Sequence, residues 1–285
     1  MSPRGERDGA REAPPAPEPL PVAALDSHCH LDLMGVPVTD ALAAARAVGV
    51  TRVVTIGVDL ESSRVAAATA ADHDGVLAAV ALHPNEAGAG AATGEALEEV
   101  ARLAALPQVV AVGETGLDHY RTTDPAGHRA QEEAFRRHIA IAKETGTALV
   151  IHDRDAHDDV IRVLDSEGAP ERTVFHCFSG DAAMARTCAD RGWVMSFAGN
   201  VTFKNAGDLR EAALVVPRDL LLVETDAPFL TPAPHRGAPN APYLVPVTLR
   251  ALAALRGEDL GELCGAVDAT GTRVFGGRSG TDRTP

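Results

Sequence analysis

Four histidines and two carboxylates in this 285-residue chain stand where short apolar runs stop, and their side chains are of the kinds that bind divalent metal ions. His28 and His30 lie in the stretch Asp26-Ser27-His28-Cys29-His30-Leu31-Asp32, directly after Val22-Ala23-Ala24-Leu25. Side chains two apart on a strand point the same way, so both imidazoles aim at one point and Cys29 turns away. Two neutral imidazoles converging at a strand end form half of a transition-metal site. Taken alone, an H-x-H is equally a pair of unrelated histidines near a turn, so other strand ends must supply the remaining ligands. Glu114 follows the apolar run 109–112, His152 follows 148–151, His176 follows 173–175 and Asp226 follows 220–223. His83 follows 76–82 in the same way. Each of these alone is an ordinary polar residue beside a loop; together they describe one rim.

A rim of this kind requires strands whose carboxyl ends all open on one side. Eight short apolar runs, at 22–25, 52–56, 76–82, 109–112, 148–151, 173–175, 193–197 and 220–223, alternate with Ala-, Leu- and Glu-rich segments. The helical segments are 39–48, 61–73, 94–106, 128–145, 156–167, 181–191 and 206–215, with Thr39 and Asp181 as N-caps and Gly49 and Gly146 as stops. The strands are continuously apolar, as they are when both faces are covered. Eightfold β-α alternation predicts an α/β fold, a closed (β/α)8 TIM barrel forming a single domain over residues 22–275. The competing arrangement is an open doubly wound sheet, which would carry a Gly-rich loop after its first strand; histidines stand there instead. Residues 1–21, with Ala13-Pro14-Pro15-Ala16-Pro17-Glu18-Pro19, read as a disordered N-terminal tail, and 276–285 as a flexible C-terminal tail.

Composition narrows the function further. With 45% hydrophobic and 23% charged residues the chain is globular, and a net charge of −14 excludes a protein that coats nucleic acid non-specifically. It does not exclude an enzyme that holds a few phosphates through metal ions. Four cysteines without a C-x-x-C give neither a zinc ribbon nor a disulfide scaffold, so a reduced, cytoplasmic setting is expected. No apolar run is long enough to span a membrane, the amino terminus lacks the apolar core of a signal peptide, and no segment marks an obligate protein partner.

Seven motifs carry a family resemblance: DSHCHLD at 26–32, GETGLD at 113–118, IHDRDA at 151–156, FHCFSG at 175–180, FKNA at 203–206, ETDAPFLTP at 224–232, and His235-Arg236-Gly237 followed by Asn240 and Pro242. In this order they resemble the TatD-like metal-dependent DNases, a (β/α)8 branch of the amidohydrolase superfamily, across residues 25–276. The resemblance implies two divalent metal ions. His28, His30 and Asp226 would bind one, His152 and His176 the other, and Glu114 would bridge them. Glu114 and Asp226 are then the catalytic carboxylates, Asp226 being also a candidate general base. A shared anion between two cations offsets their repulsion, and the pair activates a water for in-line attack at phosphorus. Imidazole and carboxylate donors suit Zn, Mn, Fe or Co without excluding Mg.

Other rim residues have two readings each. His83 is either a substrate contact or a hydrogen-bond partner of a ligand. Arg154 and Arg236 either meet phosphate oxygens or form surface ion pairs, and Lys204 in FKNA is a third phosphate contact. Glu224 is an outer partner of a ligand histidine. Asn85 stands where the family often has a second histidine and takes no role. His119, His128, His138 and His157 serve structure or solvent. The function expected is phosphodiester hydrolysis, as a 3′-5′ exodeoxyribonuclease acting on single-stranded or frayed 3′ ends. A hydrolase of amide, ester or lactone bonds is the alternative enzyme, since the same metals polarise carbonyls, and a metal-binding scaffold is the non-enzymatic one.

Overall fold

The computed structural model describes residues 12–276. Strand and helix alternate as β1 (Ala24–Cys29), α1 (Val38–Ala47), β2 (Val50–Ile56), α2 (Leu60–Asp72), β3 (Val76–Val80), α3 (Pro84–Gly88), α4 (Gly94–Ala104) and β4 (Val109–Asp118). The second half continues with α5 (Pro125–Thr145), β5 (Ala148–Arg154), α6 (His157–Glu167), β6 (Thr173–Phe175), α7 (Ala182–Asp190), β7 (Val194–Phe197), α8 (Gly207–Val215), β8 (Leu221–Val223), α9 (Val245–Arg256) and α10 (Leu260–Phe275). The eight strands pair in sequence order, every pair parallel. A bridge between Cys29 and Ala227 joins β1 to the chain just past β8. This is the (β/α)8 barrel that the alternation predicts, and it places all eight strand ends on one mouth.

The helices follow local chemistry. Asp59 caps α2 with a reciprocal box to Ser62, Asp124 caps α5, Asp181 caps α7, and Gly146 ends α5 in the left-handed conformation. Two of the helix starts that differ from the sequence reading show the local cause. The first helix starts at Val38 behind Pro37, so Thr39 lies inside it rather than capping it. Helix α5 starts at Pro125 rather than 128, because the Asp124 carboxylate accepts the Ala126 and Gly127 N–H groups and Pro suits the first helical position. Helices α3, α9 and α10 had no counterpart in that reading. The last of them lies so close to β1 that a Cβ on Gly271 would sit 2.6 Å from Leu25 Cδ2. A larger residue there would have to displace the Leu25 side chain.

Two strands carry an extra residue at the mouth. In the β1–β2 pairing, Asp26 faces Val53 but Cys29 faces Thr55, so three steps on β1 match two on β2. In β4–β5, Val112 faces Leu149 but Thr115 faces Ile151. Such bulges re-aim side chains that simple alternation would send elsewhere. His28 lies in the first and Glu114 in the second.

The amino-terminal segment departs from the sequence expectation where it is described. Residues 12–21 form no helix or strand, yet Pro14 and Leu20 are buried. The Pro14 carbonyl accepts from Tyr243 Oη at 2.8 Å, the Pro19 carbonyl from Arg250 at 3.1 Å, and Leu20 N–H donates to the Val48 carbonyl at 3.0 Å. A proline-rich stretch has no period to read, but it packs well when held extended. Residues 1–11 and the segment 277–285 lie outside the described residues. A chain starting at residue 22 should therefore melt below one starting at residue 12. Leu20 burial and these hydrogen bonds are worth about 2 kcal/mol together, or roughly 4–8 °C for a domain of this size. Scanning fluorimetry of the two truncations measures it, and equal melting temperatures would show that the segment adds nothing.

Candidate metal centre

Glu114 stands at the centre of the mouth. Its Oε1 lies 2.6 Å from His152 Nδ1, 2.8 Å from His176 Nε2 and 3.4 Å from His83 Nε2. Its Oε2 faces the other way, 3.6 Å from His28 Nε2. Asp226 Oδ1 lies 3.7 Å from His28 Nε2 and 3.6 Å from His30 Nε2. All six expected ligands thus converge, along with His83. Donor atoms of His28, His30 and Asp226 lie within 4.8 Å of one another, as do those of His28, Glu114 and His176, and of His83, Glu114 and His152. The third grouping differs from the expected one, which pairs His152 with His176; in the structure the His176 ring stacks on His28 at 3.8 Å.

Hydrogen bonds on the far side of each ring determine which nitrogen is offered. His30 Nδ1–H donates to the Ile56 carbonyl at 3.3 Å, leaving Nε2 toward Asp226. His176 Nδ1–H donates to Glu224 Oε1 at 3.0 Å, leaving Nε2 toward Glu114. Glu224 Oε1 also accepts the Cys177 N–H, so this buried carboxylate orients a histidine from outside the cluster. His152 Nε2–H donates to Asp118 Oδ2 at 3.2 Å, leaving Nδ1 toward Glu114. His83 is different. Its Nδ1 accepts the Asn85 N–H at 3.1 Å, so its proton is on Nε2 and it presents a donor, not a lone pair. His83 is therefore suited to an anionic oxygen rather than to a metal ion.

His28 supplies the test of whether a cation belongs here. The residue is fully buried and neither ring nitrogen has a hydrogen-bond partner. Burial pushes its pKa down to about 4, so it is neutral with a lone pair in hand. Buried polar atoms without partners are rare in folded proteins, and a metal ion facing Nε2 satisfies this one. Burial alone would raise the pKa of Glu114, but the electrostatic influence of the facing His176 and His83 imidazoles and hydrogen bonds from His152 and His176 hold its carboxyl well below the usual range. For Asp118 the balance is the same: burial works upward and the His152 hydrogen bond holds it low. The donor set is imidazole and carboxylate throughout, which fits divalent transition metals.

The barrel seam holds one half of the cluster. Asp26 Oδ1 accepts from Thr225 N–H at 2.9 Å, and Oδ2 accepts from Thr225 Oγ1–H at 2.5 Å. Asp226 N–H donates to the His28 carbonyl at 2.9 Å and His30 N–H to the Ala227 carbonyl at 2.8 Å. Burial pushes the Asp26 carboxyl up to about 7 despite those hydrogen bonds. Asp226 itself is held at φ +53°, in the left-handed region.

The expected phosphate contacts are more scattered. Arg154 stacks 3.9 Å above the Tyr120 ring and Arg236 4.0 Å above the Phe203 ring. Lys204 is exposed. His119 and His128 stack on each other at 3.9 Å, and His157 bonds Asp153, all apart from the cluster. One contributor has no role in the sequence reading, and another has a role more specific than the sequence shows. Asp118, four residues after Glu114 on one strand and so of the same face by period two, was legible inside GETGLD. His138 has the structural role expected of it, and the structure shows which one: it bonds β4 and the residue before His83. Its Nε2 accepts the Leu82 N–H at 3.4 Å and its Nδ1–H donates to Thr115 Oγ1 at 2.8 Å. These are the neighbours of His83 and Glu114.

A parallel barrel whose mouth gathers imidazoles around a buried, doubly facing carboxylate is the frame of a metal-dependent hydrolase. The family model described as TatD related DNase matches residues 25–276, and the chain belongs to that family. It is 49% identical over 259 residues to the uncharacterized metal-dependent hydrolase TatD of Mycobacterium tuberculosis, covering 88% of this chain and 97% of that one. It is 36% identical over 245 residues to the 3′-5′ ssDNA/RNA exonuclease TatD of Citrobacter rodentium, covering 83% and 91% respectively. Among solved structures, the TatD homolog YJJV of Escherichia coli K12 superposes with a TM-score of 0.81 at 28% identity, covering 88% of this chain and 97% of that one. The protein is a metal-dependent hydrolase. Among the described residues, no helix is long and apolar enough to cross a membrane.

His138 gives a measurable pH signature. Burial drives its pKa down to about 3 in the fold, while an unfolded histidine titrates near 6.5. The unfolded chain therefore takes up the proton first, and the stability present above pH 6.5 is lost as pH falls toward 3. Between pH 6.5 and 5 the loss attributable to this residue is about 2 kcal/mol. Between the two pH values the unfolding free energy from urea denaturation should fall by that much more for wild type than for His138→Gln; equal changes would show that His138 is not held neutral in the fold.

Proposed function

We propose that the protein is a two-metal phosphodiesterase acting as a 3′-5′ exonuclease on single-stranded DNA or RNA. His28, His30 and Asp226 would hold one ion, His152 and His176 the other, and Glu114, facing both groups, would serve the two together. The observation that carries this reading is the split of the Glu114 carboxylate, with Oε2 toward His28 and Oε1 toward His152 and His176. The bound ions supply an activated water and offset charge on the phosphate. The protein's own groups do the rest. His83 directs an N–H at an anionic oxygen, Glu224 and Asp118 fix the ring orientations, and Asp226 is placed to take a proton from the attacking water. The relative named as a 3′-5′ exonuclease supports this direction. The four cysteines stand as free thiols, which suits a reducing compartment such as the cytoplasm.

Glu114→Gln should lose bound metal by elemental analysis and lower turnover by roughly three orders of magnitude or more, as removal of an essential catalytic group does. Near wild-type metal content and rate would overturn the bridging assignment. The exonuclease reading is tested with a linear single strand beside a circular one, under Mg, Mn or Zn in turn. Stepwise shortening from the 3′ end and an intact circle are expected; equal cleavage of the circle would sink it. With two or three phosphates neutralised, the logarithmic salt slope of binding should be about −2, far shallower than that of a groove binder.

A further inference from the structure

The chain has few aromatic residues, seven Phe, two Tyr and one Trp, and those exposed to water are confined to one place. Among the described residues, the large hydrophobic side chains left exposed include two aromatics, Tyr120 at 60% and Phe229 at 52%. Both stand on the barrel mouth. Phe229 is three residues past Asp226, and its ring meets the His30 ring edge-on at 5.9 Å between centroids. Its backbone is fastened at both ends, N–H to the Asp226 carbonyl at 2.8 Å and carbonyl to Asn240 Nδ2. Tyr120 is two residues past Asp118, which bonds His152. Arg154 covers one face of Tyr120 at 3.9 Å, and at its exposure the rest of the ring is open to solvent. Because the strands run around the barrel in sequence order, the β4–β5 junction that carries Tyr120 lies half a turn from the β8–β1 seam that carries Phe229. The cluster around Glu114 lies between them.

We propose that Phe229 and Tyr120 are base-stacking platforms on opposite sides of the metal centre; the assignment rests on the nuclease reading above and specifies how the strand is held. Phe229, against a metal-ligand histidine, stacks on the base of the nucleotide whose phosphate is at the centre. Tyr120, backed by the Arg154 guanidinium, stacks on a base farther along the strand. An aromatic face accepts any base, so the grip is sequence-tolerant, and it requires bases free of a partner strand. Stacking also fits the charge. A chain of net charge −14 repels a polyanion at long range, so affinity must come from contacts that salt does not screen. Bases pulled from a duplex would lose their own stacking to reach these rings, which makes a free single-stranded end the better ligand.

The test uses the metal-loaded enzyme with two short single strands, one ordinary and one carrying an abasic residue at the 3′ end. Phe229→Ala should raise KM for the ordinary strand about tenfold and leave the abasic strand, already weak for wild type, unchanged. Phe229→Trp should restore the ordinary strand. Tyr120→Ala should give the same pattern with the abasic residue moved inward, and Tyr120→Phe should behave as wild type, since the ring rather than the hydroxyl stacks. If Phe229→Ala weakens both strands equally, or neither, the platform assignment falls while the nuclease reading stands. If wild type cleaves no oligonucleotide at all, the nuclease reading falls and takes the platforms with it.

Discussion

A carboxylate buried at the centre of a barrel is tolerated only if positive charge surrounds it, and the mouth of this protein is built around that requirement. Glu114 faces four imidazoles, and among the described residues no lysine or arginine is ion-paired with it. An isolated ion there would be costly to desolvate. Imidazoles solve the problem conditionally, because their nitrogens carry either protons or a metal ion. Directions of the histidine shifts follow from this. His152 and His176 are held above their ordinary values against the downward push of burial, because Glu114 and the outer carboxylates Asp118 and Glu224 face them. His28, with no such outer carboxylate, goes down. His152 and His176 are thus biased toward the protonated form and His28 toward the neutral one, so a cation bound here would displace protons.

The barrel has to deliver those groups to within a few ångströms from strands far apart in sequence, and regular pleating does not do it. His28 and Glu114 both sit in bulges, where an extra residue turns a side chain to the axis. Beyond the second bulge, Gly116 lets β4 approach β5: a Cβ there would lie 2.1 Å from the His152 carbonyl oxygen. That close approach continues the β4–β5 ladder to Asp118 and Arg154 and so brings Asp118 to the ring of His152. On the far side, the Asp26–Thr225 clamp holds the seam together between His28 and Asp226. Function has shaped the strand ends, and the helices around them are ordinary capped helices.

These facts explain what was legible in the sequence. Strand ends, the alternation and the identity of His28, His30, Glu114, His152, His176 and Asp226 could be read, because residue type and place in an apolar run both carry the signal. The direction of His28 was read from period-two alternation, although a bulge is what aims it; Cys29 does turn away, its Sγ toward the Val54 carbonyl. Strand β4 was ended at residue 112 because Gly113-Glu114-Thr115-Gly116 breaks the apolar run, and only the pairing with β5 continues it. His138 lies on a helix, and nothing in its local sequence tells that its two nitrogens reach β4 and the segment just past β3. The rim arginines were assigned to phosphate by their charge. Their stacking on Tyr120 and Phe203 depends on loops brought together by the fold.

That stacking changes how the rim's charge is understood. A guanidinium lying flat on a ring keeps its charge while losing the freedom to swing, and its edge N–H groups remain available for oxygen. Arg154 is fixed in this way above Tyr120, near enough to Asp118 for its charge to help hold that carboxyl low. Asp118 in turn orients His152, which faces Glu114. The series from Tyr120 through Arg154, Asp118 and His152 to Glu114 thus alternates cationic and anionic groups from the solvent edge to the buried centre. A negative ligand entering at Tyr120 meets the guanidinium first and the buried carboxylate last. For a chain of such negative overall charge, that ordering lowers the electrostatic cost of bringing an anion toward a buried glutamate.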